Sequence, residues 1–143
     1  MKIAIGSDHG GYELKQKILT VLKDKNYALE DFGCHSVESV DYPEYAKKVA
    51  NKVASGEFDR GILICGTGIG ISIAANKVKG IRCALVHDLE SAVLTRQHND
   101  SNILAMGGRI VDHDLALEIV NAWLSTDFEG GRHSRRVNLI EED

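Results

Sequence analysis

The sequence is poor in several features that mark particular classes of protein. One proline and 14 glycines in 143 residues exclude collagen-like and proline-rich disordered chains. An excess of basic residues is also missing. The 17 Lys and Arg and 21 Asp and Glu give a net charge of −4, which argues against a nucleic-acid partner. The composition is that of a globular protein, and the length predicts one domain spanning residues 1–143.

Cysteine spacing and apolar runs exclude further classes. Cys34, Cys65 and Cys83 form no C-x-x-C pair and have no histidine at zinc-finger spacing. Their odd number and wide gaps predict free thiols in a reducing compartment. The longest uncharged run, 61–76, is too short to cross a bilayer. Asp8 comes too early for a signal peptide, so we expect a cytoplasmic protein without a membrane partner.

Apolar periodicity alternates between the strand and helix periods along the chain. Short apolar runs predict five strands, at 2–6, 28–32, 60–65, 82–87 and 102–106. Between them lie helical stripes such as Leu14, Ile18 and Leu22, and aspartates stand where three helices should begin, at 41, 88 and 112. This alternation predicts a three-layer α/β/α sandwich with a five-stranded parallel sheet, of Rossmann-like type. The strand order does not follow from the sequence.

Chemically useful residues follow four of the five predicted strands. In an open α/β sheet, ligands bind beyond the carboxyl ends of the strands. The segments concerned carry an acid, histidines, a thiol, a hydroxyl, glycines and an arginine, at 7–11, 65–70, 87–88 and 107–109. We therefore expect a single ligand site along this edge.

The glycine-rich loop at 65–70 is the most distinctive of these segments. Gly66, Gly68 and Gly70 let successive backbone N–H groups point at an anion near a helix N-terminus. The loop lacks the P-loop pattern, and it follows the third strand rather than the first, where a dinucleotide fingerprint belongs. A tight strand-to-helix turn without a ligand is the alternative.

Cys65 stands at the start of this loop, and three roles compete for it. It could be a buried structural cysteine, a phosphatase nucleophile or a general base. The phosphatase role requires an arginine six residues later, where the chain has Ile71. Thr67 and the adjacent glycines favour the base over the structural role.

Two further candidates for the site are the pair Asp8 and His9, after the first predicted strand, and His98, at the end of a predicted helix. Asp8, with His9 beside it, is either a helix cap or part of the site. His98 closes a predicted helix, where the helix dipole favours a cationic histidine. The topology places His98 near the amino edge of the sheet, away from Cys65. A catalytic His98 would most simply reach a site on a second subunit.

A basic C-terminal tail, residues 130–143, begins after two glycines. Arg132 and Arg136 are four residues apart, so a helix there would place both on one face, where they could hold one phosphate. A solvated basic surface is the alternative.

Several segments together resemble the ribose/galactose isomerase family of sugar-phosphate isomerases, and its type B ribose-5-phosphate isomerases in particular. The match extends over nearly the whole chain. It rests on GSDH, DYP, ICGTGIGISIAANK, RQHND and EGGRH, at 6–9, 41–43, 64–77, 96–100 and 129–133. One branch of the family has a glutamate base where this chain has Ile71, so the chain resembles the branch that uses cysteine.

The resemblance implies an aldose–ketose interconversion of D-ribose 5-phosphate and D-ribulose 5-phosphate through an enediol, with no metal and no cofactor. Cys65 would move the proton between C1 and C2. His98 would open the furanose ring with help from Asp8. Thr67 would stabilise the enediolate oxygen together with the loop amides of Gly66, Gly68, Ile69 and Gly70.

The resemblance also implies how the sugar phosphate is held. Arg132 and Arg136 would bind the phosphate, with His9 and Arg109 nearby, and Asn99 would bind sugar hydroxyls. The family forms homodimers whose sites contain residues of both chains, so the 130–143 tail is expected to reach the partner. Pairing of dimers into tetramers stays open.

Two other functions remain open at this point. One is isomerisation of a six-carbon sugar phosphate, such as allose 6-phosphate or galactose 6-phosphate. The other is a non-catalytic module that senses a phosphorylated metabolite, which would need the glycine loop and arginines but not Cys65, His98 and Asp8 together.

Overall fold

The computed structural model describes residues 1–142 as an alternating series of strands and helices. The strands are β1 (Lys2–Ser7), β2 (Ala28–Asp31), β3 (Arg60–Cys65), β4 (Cys83–Leu85) and β5 (Ile103–Gly107). The helices are α1 (Tyr12–Lys23), α2 (Tyr42–Ala54), α3 (Ile69–Asn76), α4 (Leu89–Asn99), α5 (His113–Ser125) and α6 (Arg132–Glu141). A short 3-10 turn, His9–Gly11, precedes α1.

The five strands form one parallel sheet in the order β2-β1-β3-β5-β4. The connection that follows β1 leads to β2 on one side, and the connection that follows β3 leads to β4 on the other side. A crevice therefore opens between the carboxyl ends of β1 and β3. At that crevice Ser7 is in register with Ile64, and Cys65 with Gly107. The predicted α/β/α sandwich is confirmed.

Two apolar clusters cover the two faces of the sheet. One joins the strands to α1, α4 and α5 and includes Trp123, whose indole N–H donates to Ser101 Oγ at 2.9 Å. The other joins them to α2 and α3 around Val49 and Ile71. Within residues 1–142, no helix is both long and apolar enough to cross a membrane.

One strand is shorter than the sequence predicts, and the C-terminal tail forms the helix that the spacing of Arg132 and Arg136 left open. The fourth strand is shorter than the predicted 82–87, because it is an edge strand with one neighbour and its Leu85 is exposed. The 130–143 tail is a helix over most of its length, with Asp143 outside the described residues. The α6 helix packs beside α4 and buries His133 and Val137.

A buried ion pair joins helix α1 to the edge strand β2. The Lys15 side chain is fully buried, and its ammonium donates to both carboxylate oxygens of Asp31, at 2.7 and 2.8 Å. Asp31 Oδ1 also accepts the N–H of Gly33 at 2.9 Å. The pair therefore ties α1 to β2 and to the loop that follows β2.

We expect Asp31→Asn to lower the free energy of unfolding by about 3 kcal/mol, because the Lys15 ammonium would stay buried without its counter-charge. Urea unfolding followed by circular dichroism, at one fixed protein concentration, measures the change.

The matched control is Glu57→Gln, which breaks the exposed Lys52–Glu57 pair at 2.8 Å and should leave the unfolding midpoint almost unchanged. Adding Lys15→Met to Asp31→Asn should restore much of the lost stability, since no charge then remains buried. A double variant as unstable as Asp31→Asn would contradict this account.

Candidate active site

The buried thiol of Cys65 lies at the N-terminus of α3. Cys65 ends β3, and its Sγ accepts the backbone N–H of Gly68 at 3.1 Å. Gly68 is the residue immediately before α3. The side chain of Cys65 is therefore held in place by the glycine loop that follows it.

The glycine loop contacts the end of β5 through backbone alone. Gly68 has a φ of +79°, and a Cβ on it would lie 2.7 Å from the carbonyl carbon of Met106. A Cβ on Gly107 would lie 2.6 Å from the carbonyl oxygen of Thr67. Only glycine fits at these two positions, so the loop is pressed against the end of the sheet.

The loop presents uncommitted backbone donors next to the thiol. Within residues 1–142, the N–H groups of Gly66 and Thr67 make no hydrogen bond. Thr67 is exposed, and its hydroxyl accepts the N–H of Ile69 at 3.2 Å. The arrangement can hold an oxyanion.

Asp8 and His9 lie at the same edge. Asp8 Oδ1 accepts the N–H groups of Gly10 and Gly11, at 2.9 and 3.2 Å, so the cap interpretation of Asp8 is confirmed. A Cβ on Gly10 would lie 2.9 Å from the nitrogen of Gly66, which brings the two loops into contact. His9 Nδ1 accepts the N–H of Val40 at 3.1 Å, so a neutral His9 carries its proton on Nε2.

A cavity of about 230 Å³ opens beside these loops and is lined by His9, Arg109 and His113, among others. The Arg109 guanidinium lies beside Gly66, where a Cβ would be 3.4 Å from Nη1. His113 Nδ1 lies 2.8 Å from the Lys17 ammonium, which can only donate. His113 Nε2 therefore carries a proton and donates it to the carbonyl of Gly108 at 2.9 Å. Glu13 also lines the cavity, so its suitability for a small anionic ligand rests on Arg109 and the two histidines.

His98 and Asn99 lie at the opposite edge of the sheet, at the end of α4. This end is held by Asp100, which has a φ of +48° and accepts from buried Arg96 at 2.8 Å. Arg82 donates to the backbone carbonyls of Asn99 and Asp100. Arg82 also pairs with Glu141 of α6 at 2.7 Å.

His98 has a partner that the sequence did not predict. Its ring stacks on that of buried His133, with centroids 4.4 Å apart and planes 13° apart. The Nε2 atoms of both rings lie near Glu129 Oε1, at 3.9 Å for His98 and 3.5 Å for His133. Arg132 and Arg136 are exposed on the same helix as His133.

The predicted site residues thus form two groups within one chain. The carboxyl-edge group contains Asp8, His9, Gly66, Thr67, Gly68, Ile69, Gly70, Cys65 and Arg109. The amino-edge group contains His98, Asn99, Arg132 and Arg136. The β5 strand begins shortly after Asp100 in the chain and ends in register with Cys65, and its four residue steps span about 13 Å. His98 therefore lies away from Cys65, as the chain order predicted.

The comparison with known proteins agrees with this architecture. Residues 3–140 match the Ribose/Galactose Isomerase family. The chain belongs to this family. Ribose-5-phosphate isomerase B of Escherichia coli is 54% identical over 139 residues, which cover 97% of this chain and 93% of that protein. The resemblance predicted from the motifs is confirmed.

Solved structures of family members superpose closely. Ribose-5-phosphate isomerase B of Clostridium thermocellum has a TM-score of 0.97 at 60% identity, covering 99% of this chain and 95% of that one. The enzyme of Mycoplasma genitalium, solved with bound ribulose-5-phosphate, has a TM-score of 0.95 at 44% identity. That match covers 98% of this chain and 93% of the other.

Four residues that contact the candidate site have no role in the prediction from the sequence. The Tyr42 ring lies against the glycine loop, since a Cβ on Gly70 would be 2.6 Å from it. The others are His113, Glu129 and His133. The spacing of Glu129 and His133, four residues apart, was the available signal for that pair, but their contact with His98 depends on how α6 docks.

We expect His133 to titrate below the usual histidine value of about 6.5. Burial lowers the pKa of His133, and the positive charges of His98 and Arg132 lower it further, whereas Glu129 raises it. His98→Gln should therefore raise the pKa of His133, and Glu129→Gln should lower it. An NMR titration of the imidazole Cε1–H signal measures both shifts, and shifts of the opposite sign would contradict the assignment.

Proposed function

We propose that this chain interconverts D-ribose 5-phosphate and D-ribulose 5-phosphate through an enediol. The observation that carries the proposal is the buried Cys65 thiol, 3.1 Å from the nitrogen of Gly68. Beside it are the N–H groups of Gly66 and Thr67, which make no hydrogen bond in the described part of the chain. These are the parts that a proton transfer beside a carbonyl needs. Relatives named ribose-5-phosphate isomerase B cover nearly the whole chain.

Cys65 is the base that moves the proton between C1 and C2. The N–H of Gly68 donates to its sulfur and holds it at the N-terminus of α3. A positioned base of this kind contributes roughly 10²–10⁴-fold to the rate. The same thiol returns the proton to the neighbouring carbon.

The glycine loop and Thr67 stabilise the enediolate oxygen. A proton beside a carbonyl is only weakly acidic, so the developing oxyanion needs donors that are already in place. Loss of one such donor typically costs about 3 kcal/mol in the barrier. Among residues 1–142 nothing accepts the N–H groups of Gly66 and Thr67, so they are available for this role. The contacts of Gly68 with β5 hold the loop rigid.

The phosphate is bound far from the reacting carbons. Arg132 and Arg136 stand one helical turn apart at the start of α6, which places them on adjacent positions of one face. His9 and Arg109 line the 230 Å³ cavity at the carboxyl edge, so one phosphate can contact them and the two arginines only in a site shared between two copies. Binding energy from the phosphate orients the sugar for reaction at its other end.

His98 opens the sugar ring with Asp8, and Asn99 holds the hydroxyls, in a site shared between two copies of the chain. The length of β5 separates His98 from Cys65 within one chain. A two-fold pairing brings the amino edge of one copy to the carboxyl edge of the other, and it forms two identical sites. The 130–142 segment of each copy then reaches its partner.

An exposed apolar surface beside the glycine loop supports this pairing. It consists of Ile69, Ile73, Leu85 and Leu89, which are between 39% and 57% exposed. A Cβ on Gly68 would lie 2.5 Å from Leu85 Cδ1, so the surface is continuous with the loop. Covering it with a second copy removes apolar area from water and completes the site in one step.

Proton NMR of ribose 5-phosphate with the purified protein in D₂O, with chelator present, tests the function. We expect ribulose 5-phosphate signals to appear and the C2 proton signal of the aldose to disappear. Turnover of allose 6-phosphate or galactose 6-phosphate, without turnover of ribose 5-phosphate, would overturn the substrate assignment. Tight binding of ribose 5-phosphate without turnover would indicate a sensor.

Cys65→Ala should lower kcat by at least about 10²-fold and change KM little, because the base is lost while the phosphate contacts remain. The matched control is Cys83→Ala, which should keep normal turnover, since burial raises the pKa of Cys83 to about 12 and leaves it without reactivity. Steady-state kinetics on folded proteins, checked by unfolding curves, decide this. Near-normal kcat for Cys65→Ala would remove Cys65 as the base.

Mixing two inactive variants tests the shared site. We expect Cys65→Ala and His98→Gln, when co-expressed, to recover roughly a quarter of wild-type activity, because half of the random dimers carry one intact site. Each variant alone should stay inactive. Should every site lie within one chain, no combination would contain an intact site and the mixture would be as inactive as its parts.

A further inference from the structure

Three potential metal ligands meet at the amino edge, apart from the thiol and the glycine loop. His98 comes from the last turn of α4, His133 from the first turn of α6, and Glu129 from the segment just before α6. Their ligand atoms all lie within 4.8 Å of one another. Three ligands are thus brought together by two helices that the fold packs side by side.

Hydrogen bonding does not account for this arrangement. Glu129 Oε1 is 3.5 Å from His133 Nε2 and 3.9 Å from His98 Nε2, and both distances are beyond a good N–H···O bond. The His133 side chain is 8% exposed, and its buried Nε2 has no hydrogen-bond partner within residues 1–142. Buried polar nitrogens normally have one. This nitrogen lies 3.5 Å from the carboxylate, and the two stacked rings place both Nε2 atoms near the same carboxylate oxygen.

Two imidazoles and one carboxylate form the protein ligand set of many zinc sites that keep an open fourth position. Zinc bonds of about 2.0–2.2 Å place tetrahedral ligand atoms about 3.3–3.6 Å apart. The Glu129–His133 separation already fits. His98 and Glu129 are 39% and 50% exposed, so their side chains can turn inward while buried His133 stays in place.

The charges around the cluster set a limit on the strength of binding. Arg132 adjoins His133 in sequence, and Arg136 lies one turn further along α6, so both disfavour a cation. The carboxylate of Glu129 opposes them. We therefore expect weaker binding than at a permanent structural metal site, as suits a reversible ligand.

We propose that His98, Glu129 and His133 bind a zinc-class divalent cation, and that this ion inhibits the enzyme. The inhibition rests on the proposed function, in which the His98 ring opens the sugar. A histidine nitrogen bound to a metal can neither donate nor accept a proton. The ion would therefore block ring opening while leaving Cys65 and the glycine loop unchanged.

Isothermal titration of chelator-treated, metal-free protein with ZnCl₂ tests the site without reference to activity. Wild type should bind one ion per chain, and Glu129→Gln and His133→Asn should each weaken binding at least tenfold. Glu129 is half exposed, so its replacement tests the site even if His133→Asn fails to fold. Cys65→Ala should bind zinc like wild type, which excludes the thiol as the ligand. No binding by wild type, or unchanged binding by Glu129→Gln, would overturn the site.

Kinetics test the inhibition separately. With ribose 5-phosphate as substrate, ZnCl₂ should inhibit wild type over the concentration range of the titration, and chelator should restore full turnover. Glu129→Gln should need at least tenfold more zinc for half-inhibition. Zinc binding at the cluster with unchanged turnover would overturn the inhibitory role. A protein that never isomerises the sugar would overturn the proposed function and the inhibition, and the titration would still decide the site.

Discussion

The close approach of bare backbone at the end of the sheet is the constraint on which the candidate site depends. At Gly68 and Gly107 a single added carbon would overlap main-chain atoms of the facing segment. The segment after β5 is bonded to the segment after β3, through Gly108 N–H to the Cys65 carbonyl at 2.8 Å and Arg109 N–H to the Gly66 carbonyl at 3.0 Å. The thiol, the free amides and Arg109 therefore share one rigid unit rather than three independent loops.

The sequence predicted the layers of the fold well, because they follow from local periodicity. The run at 60–65 is apolar at alternate and intervening positions, and β3 is the buried middle strand. The insertion of β5 between β3 and β4 could not be predicted, since it depends on which long-range packing fills both faces. The 82–87 run does not form a strand over its full length, and this too depends on long-range packing. Its residues are apolar enough for a strand, but their place at the edge gives them one neighbour.

The carboxyl-edge group was also predictable, because parallel strands bring their following loops to one edge whatever their order. For the amino-edge group, the sequence predicts the position of His98 but not its contacts. Chain order places His98 away from Cys65, but the stacking of His98 on His133 joins residues 35 positions apart and depends on where α6 docks. That docking rests on buried Val137 and on the Arg82–Glu141 pair, neither of which has a local sequence pattern.

One rigid element relates the two groups of site residues. The α4 helix begins next to His87, which accepts the Gly107 N–H at 2.9 Å, and it ends at Asn99. Its 11 residues span about 16 Å, so the two ends keep a constant separation. In the two-fold pairing proposed above, each end of α4 in one copy must face the opposite end in the other. In that pairing the two helices would run in nearly opposite directions. The helix therefore fixes the distance across which the proposed pairing has to join the two groups, and the partly exposed Leu94 lies at its middle.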